Sequence, residues 1–393
     1  MLKNIKINGF RSIKKQEVDL APFTVIYGPT ASGKSSLLYS LLVLKNFIAN
    51  PNQQSDGFFS LGFINLGGFD ACVFNHEQDK AIEVSFSYED GEYGLSFQKN
   101  TGELYLKASL GIDMRAKINI PYALNQSFTF QRKEKEEEYT INWNGITSTV
   151  SPIQPTADTQ QRASELTTQL NRIPETLKKI DVAPHKRGFF KPFYTPATIS
   201  PLPTTEDEVA SIIINDLNLS PRISVDMEKI LERDFRLHTP PGTSTVYFQT
   251  TDKRSRVPGY LVNDGFGVNQ IVYILAKIHR PDIKTVLIEE PEVHLHPQMI
   301  RSLVRVLCDI IKDEGKQIIL TTHSEVFVSS LLAAVAEKII SLEDIQCYLA
   351  LKENKATIFK PQKVQENGQI EGGLSSFMEG ELEDLKIMLG LKK

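Results

Sequence analysis

The chain has 393 residues, a net charge of −4, and 41% hydrophobic and 23% charged residues, the balance of a folded globular protein. Its length accommodates two domains, or one large α/β head with an insertion. The charge excludes wholesale polycationic binding of nucleic acid but leaves a local basic groove open, because counterion release depends on the cations in contact and not on the total.

The chain opens on strands. Leu2, Ile5, Ile7 and Phe10 alternate with polar residues, as do Val18 and Leu20, and Phe23-Thr24-Val25-Ile26-Tyr27 is a buried β run ending at Gly28. A helix is predicted from Lys34 through Leu44. Residues 50–80 are rich in Gly, Asn and Asp and read as a long irregular loop. From 82 to 150, β-type segments separated by turns such as Asp90-Gly91 and Asn144-Gly145 predict antiparallel hairpins, with the charged run 132–138 as a solvated hairpin end. Prolines at 152, 155, 174, 184, 192, 196, 201 and 203 then frame short helices at 159–180 and 206–217, an inserted helical lobe over 151–238 without a heptad repeat. Beyond 239 the chain returns to strands. It then alternates: a helix from Asn269, strand 285–289, helix 297–312, strand 317–321, helix 325–337, which implies a parallel sheet with covered faces. Strands at 346–351 and 357–359 and an acidic helix near 380–389 close the chain. The expected divisions are 1–150, 151–238, 239–340 and 341–393.

Four motifs carry chemistry. Gly28-Pro29-Thr30-Ala31-Ser32-Gly33-Lys34-Ser35, continued by Ser36, sits between a strand and a helix, the context in which backbone N–H groups converge on phosphate oxygens. There Lys34 reaches the β- and γ-phosphates and the Ser35 hydroxyl ligates Mg²⁺. Val286-Leu287-Ile288 ends in Glu289 and Glu290, whose side chains leave a strand on opposite faces. One carboxylate, Glu289, suits the Mg²⁺ shell and the next, Glu290, suits a base for water. His323, after the strand ending Leu320-Thr321-Thr322, suits a γ-phosphate or water contact. Gly265-Phe266-Gly267 opens a helix and offers a second anion site, or a plain strand-to-helix turn. His294 and His296 fit a loop at a dimer seam better than a metal pair, because no third ligand clusters with them.

Together these motifs resemble the ABC-type ATPase heads of the SMC, RecF and OLD group, and Ile288-Glu289-Glu290-Pro291-Glu292-Val293-His294-Leu295-His296-Pro297 is especially similar to OLD-type ATPases. The resemblance covers about 1–80 and 240–340. It implies a P-loop head with a mainly parallel core sheet, an antiparallel β subdomain and an inserted lobe. It assigns Gly28 to Ser36 with Lys34 to Walker A, Glu289 and Glu290 to Walker B, His323 to the switch loop, Gly265 and Gly267 to the signature position, and Arg11 to the nucleotide. Two departures stand: Thr30-Ala31 replaces the usual Asn-Gly, and no glutamine loop stands out among Gln53, Gln54, Asn65 and Asn75. Only 70 residues follow His323, without the clustered acidic motif of a Toprim nuclease domain.

The expected protein is therefore an ATPase using ATP and Mg²⁺, with Lys34, Glu290 and His323 catalytic, dimerising around two nucleotides in DNA transactions or defence against mobile DNA. The alternative is a nucleotide-controlled scaffold that regulates a separate effector protein; a transporter ATPase ranks third. Three scattered cysteines, Cys72, Cys308 and Cys347, and no leader or apolar run of roughly 20 residues point to the cytoplasm, with no membrane partner. DNA is a candidate partner: His185-Lys186-Arg187-Gly188-Phe189-Phe190-Lys191-Pro192-Phe193-Tyr194 interleaves cations with rings, which fits nucleic-acid contact, packing of the insert, or a protein surface.

Overall fold

The computed structural model describes residues 1–371 and 373, apart from 90, 109, 110, 124 and 135. The expected helix near 380–389 lies outside them. The chain begins β1 (Leu2–Phe10), β2 (Ile13–Asp19), β3 (Phe23–Tyr27), α1 (Lys34–Ala49) and the single turn α2 (Phe69–Cys72). Seven strands follow: β4 (Ile82–Tyr88), β5 (Gly91–Phe97), β6 (Thr101–Ala108), β7 (Ile112–Asn119), β8 (Phe128–Glu134), β9 (Glu137–Trp143) and β10 (Ser148–Pro152). Then come α3 (Ala157–Lys178), β11 (Ile180–Ala183), α4 (Glu206–Asn215), α5 (Leu219–Leu231), β12 (Arg233–His238), β13 (Tyr247–Asp252) and β14 (Pro258–Tyr260). The last described part holds α6 (Phe266–Ile278), β15 (Thr285–Glu289), α7 (Pro297–Glu314), β16 (Gln317–Thr322), α8 (Glu325–Ala336), β17 (Ile345–Glu353) and β18 (Ala356–Gln362).

The chain divides into two compact units, 1–20 with 36–180, and 21–35 with 181–393. These junctions do not coincide with the boundaries expected at 150 and 238. In the first unit an antiparallel sheet runs in the order β2-β1-β4-β5-β6-β7, beside a three-stranded sheet β10-β9-β8. Alternate residues of β7 are buried, the pattern of a sheet with one covered face. Helix α3 starts at a Thr156–Thr159 capping box and fastens to β10, where the Asn171 amide donates to the Ser148 carbonyl and accepts from its N–H at 2.9 and 2.6 Å. The segment 50–80 is poor in regular elements, as its composition predicts. It is not a loose loop, however: Phe58, Phe59, Phe69 and Cys72 are buried, and Phe47 meets Phe58 edge-on at 5.4 Å.

The second unit is built on a sheet ordered β11-β15-β16-β3-β17-β18. Strands β15, β16, β3 and β17 pair in parallel, and only the hairpin β17–β18 is antiparallel among the pairings between these four and β18. Every residue of β3, β15 and β16 is buried, which explains their predominantly apolar centres. Helix α7 begins with Pro297 at its first turn, capped by the His296 ring, and stops at Gly315 in the left-handed conformation. Residues 181–238, expected in an inserted lobe, belong to this unit. Strand β11 is an edge of the parallel sheet, and α4 and α5 pack on α6, with α5 also on α7. Asp181 of β11 is fully buried between the Lys277 ammonium at 2.7 Å and the Arg280 guanidinium at 2.8 Å.

Candidate active site

In an open parallel sheet the carboxyl ends of the strands form the natural ligand crevice. The register brings Glu289 opposite Thr321 and Thr322 opposite Tyr27, so β15, β16 and β3 end together. The loop leaving β3 turns through Gly28 (φ 142°), Ala31 (φ 62°) and Gly33 (φ 95°) before Lys34 starts α1. A Cβ on Gly28 would lie 2.4 Å from the Ala350 carbonyl, so only glycine fits there. Thr357 of β18 donates its hydroxyl to the Ser32 carbonyl at 2.8 Å and fixes the loop from behind. Pro29, Thr30 and Ala31 are exposed, while Ser32, Lys34 and Ser36 are buried.

The Lys34 ammonium folds over the loop, donating to the Gly28 and Pro29 carbonyls at 2.9 Å each. Burial pulls it down to about 8, against the raising influence of Glu290 and Glu292. It also lies 3.2 Å from His323 Nδ1. Because an ammonium can only donate, Nδ1 accepts, and the ring proton belongs on Nε2. That atom is 2.7 Å from Glu290 Oε1. Lys34, His323 and Glu290 thus stand in one line of close polar contacts across three neighbouring strand ends.

Glu289 is buried, in keeping with its place inside the strand. Glu290, just beyond, adopts φ 45°, a left-handed conformation that costs about 1–3 kcal/mol outside glycine and clusters at working sites. Its N–H donates to the Thr321 carbonyl at 2.8 Å. Glu292 holds the switch loop, accepting from the Thr322 hydroxyl at 2.7 Å and the His323 N–H at 2.9 Å.

Two contributors were not legible as site residues. Arg187, 3% exposed, donates to the carbonyls of Glu289 (2.6 Å), Glu290 (2.8 Å) and Pro184 (2.8 Å). Burial pulls its guanidinium down to about 10, which leaves it charged at neutral pH. His185 places its N–H 3.3 Å from Glu289 Oε2 and its Nδ1 3.1 Å from Glu290 Oε2. The stretch 185–194 is consequently an anchor. Phe189 is buried against Tyr194, Phe248 and Tyr273, and Lys191 pairs with Asp207 and Glu206. Of its lysines, arginine and phenylalanines, Lys186, Phe190, Lys191 and Phe193 are exposed.

At the signature position, Gly265 has open space where a Cβ would stand, whereas a Cβ on Gly267 would come within 2.5 Å of the His294 carbonyl. Phe266 between them is 60% exposed and its ring lies 5.5 Å from that of His294. Among the described residues no group of three or more His, Cys, Asp or Glu is arranged to hold a metal. Arg11 belongs to the first unit, at φ 52°, with its guanidinium 5.3 Å from the centre of the Tyr39 ring.

The site fits a nucleotide and its cation. Ser32 Oγ, Thr321 Oγ1 and Glu292 Oε2 are buried around it without hydrogen-bond partners, and Ser35 and Glu289 offer the hard oxygen donors that Mg²⁺ prefers. Residues 23–329, most of the chain, match the family described as "AAA domain, putative AbiEii toxin, Type IV TA system". The chain belongs to that family. It is an AAA-domain ATPase. Curated relatives of this AAA-domain chain include an OLD nuclease of Thermus scotoductus, 24% identical over 83% of this chain and 60% of that protein. An ATP/GTP phosphatase of Helicobacter pylori is 22% identical over 86% of this chain and 89% of its own length. The chain therefore spans about 60% of the first relative and most of the second. Solved SMC heads align broadly at low identity: the SMC head domain from Thermotoga maritima at 11% identity and TM-score 0.45, covering 92% of this chain and 99% of that one. An SMC head bound to the C-winged helix domain of ScpA aligns at 12% identity and TM-score 0.49, covering 92% and 97%. Among the described residues, no helix is long and apolar enough to cross a membrane.

Proposed function

We propose that this AAA-domain chain hydrolyses ATP with Mg²⁺ at the carboxyl ends of β15, β16 and β3, and that two copies clamp around two nucleotides in DNA transactions or defence against mobile DNA. The observation that carries the reading is the line Lys34–His323–Glu290. A phosphate anchor, an orienting imidazole and a carboxylate base follow one another at 3.2 and 2.7 Å although their strands are far apart in sequence. Lys34 leaves the Gly28 and Pro29 carbonyls for the β- and γ-phosphates. Glu290 takes the proton of the attacking water on a carboxylate oxygen, and His323 Nε2–H holds that carboxylate in line. Held by Ser35 and Glu289, Mg²⁺ supplies charge neutralisation on the phosphate oxygens. The helix start Gly265–Gly267, exposed at Gly265 and Phe266, is the proposed contribution to the nucleotide from a second copy, and the proposed location is cytoplasmic.

The test is Glu290→Gln. It retains ATP binding and loses at least about 100-fold in turnover, the lower range for losing a general base. Near-normal hydrolysis by the purified variant removes Glu290 from that role. A second reading, a nucleotide-controlled scaffold for a separate effector, is favoured by the aromatic group Phe193, Tyr247 and Tyr260, with ring centres 5.0–6.2 Å apart and Phe193 and Tyr260 exposed. Turnover stimulated by DNA in the isolated chain supports the first reading, and turnover indifferent to DNA supports the second.

A further inference from the structure

We propose that His185 is a positioning residue for the catalytic carboxylate, fixing the plane of Glu290 from the side opposite His323; this rests on the reading of Glu290 as the base. The two Glu290 oxygens face different imidazoles: Oε1 lies 2.7 Å from His323 Nε2 and Oε2 lies 3.1 Å from His185 Nδ1. With one donor a carboxylate still swings about its terminal torsion, which is broad and soft. With an imidazole nitrogen close to each oxygen the plane is set, and each oxygen keeps a lone pair for water.

His185 is held in place for this by its own backbone. Strand β11 lies beside β15, so the chain leaving Ala183 passes the end of the carboxylate strand, and the His185 N–H reaches Glu289 Oε2. Two residues on, the buried Arg187 fastens the same segment to the Glu289 and Glu290 carbonyls. Beyond it, the Asn269 side chain accepts from the Phe189 N–H and donates to the Phe189 carbonyl, both at 2.6 Å. The segment 184–189 is thus tied at one end to both carboxylate residues and at the other to the first turns of α6. Its side-chain imidazole, by contrast, is 59% exposed. A side chain so placed adds little to packing, and its removal should leave stability nearly unchanged. The role in turnover can therefore be separated from a role in folding.

The experiment compares His185→Ala, His185→Asn and Glu290→Gln in the full chain, measuring kcat and KM for Mg-ATP and the affinity for a fluorescent ATP analogue. Misplacing a reacting group by about 1 Å costs up to about 100-fold. His185→Ala is expected to lower kcat by about 10- to 100-fold with KM and analogue affinity within about twofold. His185→Asn is expected to recover most of that loss, because its side-chain amide nitrogen stands close to where Nδ1 stood and still donates. Adding His185→Ala to Glu290→Gln should cost nothing further, since residues acting as a unit are not additive. An unchanged kcat in His185→Ala, an Asn variant no better than Ala, or an independent loss in the double variant overturns the proposal. If Glu290→Gln itself turns over normally, the reading of the base fails and takes this proposal with it. If Glu290→Gln is inactive while His185→Ala is normal, only the role of His185 falls.

Discussion

Replacing Asp181 with Asn tests whether the edge strand beside the carboxylate strand is held by charge. Asp181 has no exposed surface, nor has Lys277, and Arg280 is 14% exposed on its side chain. Each carboxylate oxygen serves one cation, and the Lys277 ammonium also donates to the Pro203 carbonyl. Breaking a buried ion pair by removing one partner costs about 3–5 kcal/mol, because the remaining charge is stranded. For a unit of this size 1 kcal/mol moves the midpoint by about 2–4 °C, so the melting temperature should fall by about 6–20 °C. Thermal unfolding followed by circular dichroism at pH 7 reads this directly. Burial already pulls the Lys277 ammonium below its usual range, against Asp181. Without Asp181 it falls further, so above that value the unfolded chain binds more protons than the folded one and stability rises with pH. The deficit should therefore narrow between pH 7 and about 10, where lysine loses its proton in the unfolded chain as well. A loss under about 1 kcal/mol, or a deficit that does not change with pH, would refute the argument from stranded charge.

Further outcomes follow from the same geometry. Gly28→Ala should abolish nucleotide binding, measured by calorimetry, because its Cβ would collide with the Ala350 carbonyl; retained affinity contradicts the close approach. His279 is buried, which lowers its pKa, but its two nitrogens face Asp226 at 2.8 Å and Glu314 at 2.9 Å, and the net shift is upward. Its contribution to stability is thus fully present below the ordinary histidine value and is lost as pH rises through the raised one; urea titrations of His279→Gln across pH 5–9 should lack that fall. With Glu290→Gln and Mg-ATP, sedimentation should show a dimer, and Gly265→Arg, which has open space around it, should prevent dimerisation without unfolding the chain. A monomer under saturating nucleotide counts against the clamp. Gly267 is the poorer probe, since any side chain there displaces the loop at His294.

Much of the core was legible because its strands are buried on both faces. Phe23–Tyr27 and residues 285–288 are uninterrupted apolar or β-branched runs, followed by Gly28 and by Glu289-Glu290 respectively. Strand β11 was not legible. Four residues with an aspartate among them carry no periodicity, and Asp181 is tolerated only because Lys277 and Arg280 arrive from nearly a hundred residues away. Helix α5 was missed for a local reason, Pro221 in its first turn, where a missing N–H costs nothing. The roles of His185 and Arg187 were hidden by composition, since a cation among aromatic residues reads as surface until burial is known. Arg187 faces inward because two consecutive carbonyls at the end of β15 need a donor there.

The position of β3 has a consequence for how the protein is made. Its neighbours are β16 and β17, and Phe23 sits opposite Ile318 and Ile345. At about 5–20 residues per second, the strand that carries the phosphate loop leaves the ribosome about 15–60 s before either partner exists. Throughout that interval a mainly apolar strand has no sheet to join, and the loop cannot take its folded form, because Ala350 and Thr357, which shape it from behind, come later still. The nucleotide pocket can therefore be completed only once synthesis has passed β18, and ATP in the cell can stabilise only chains extended that far.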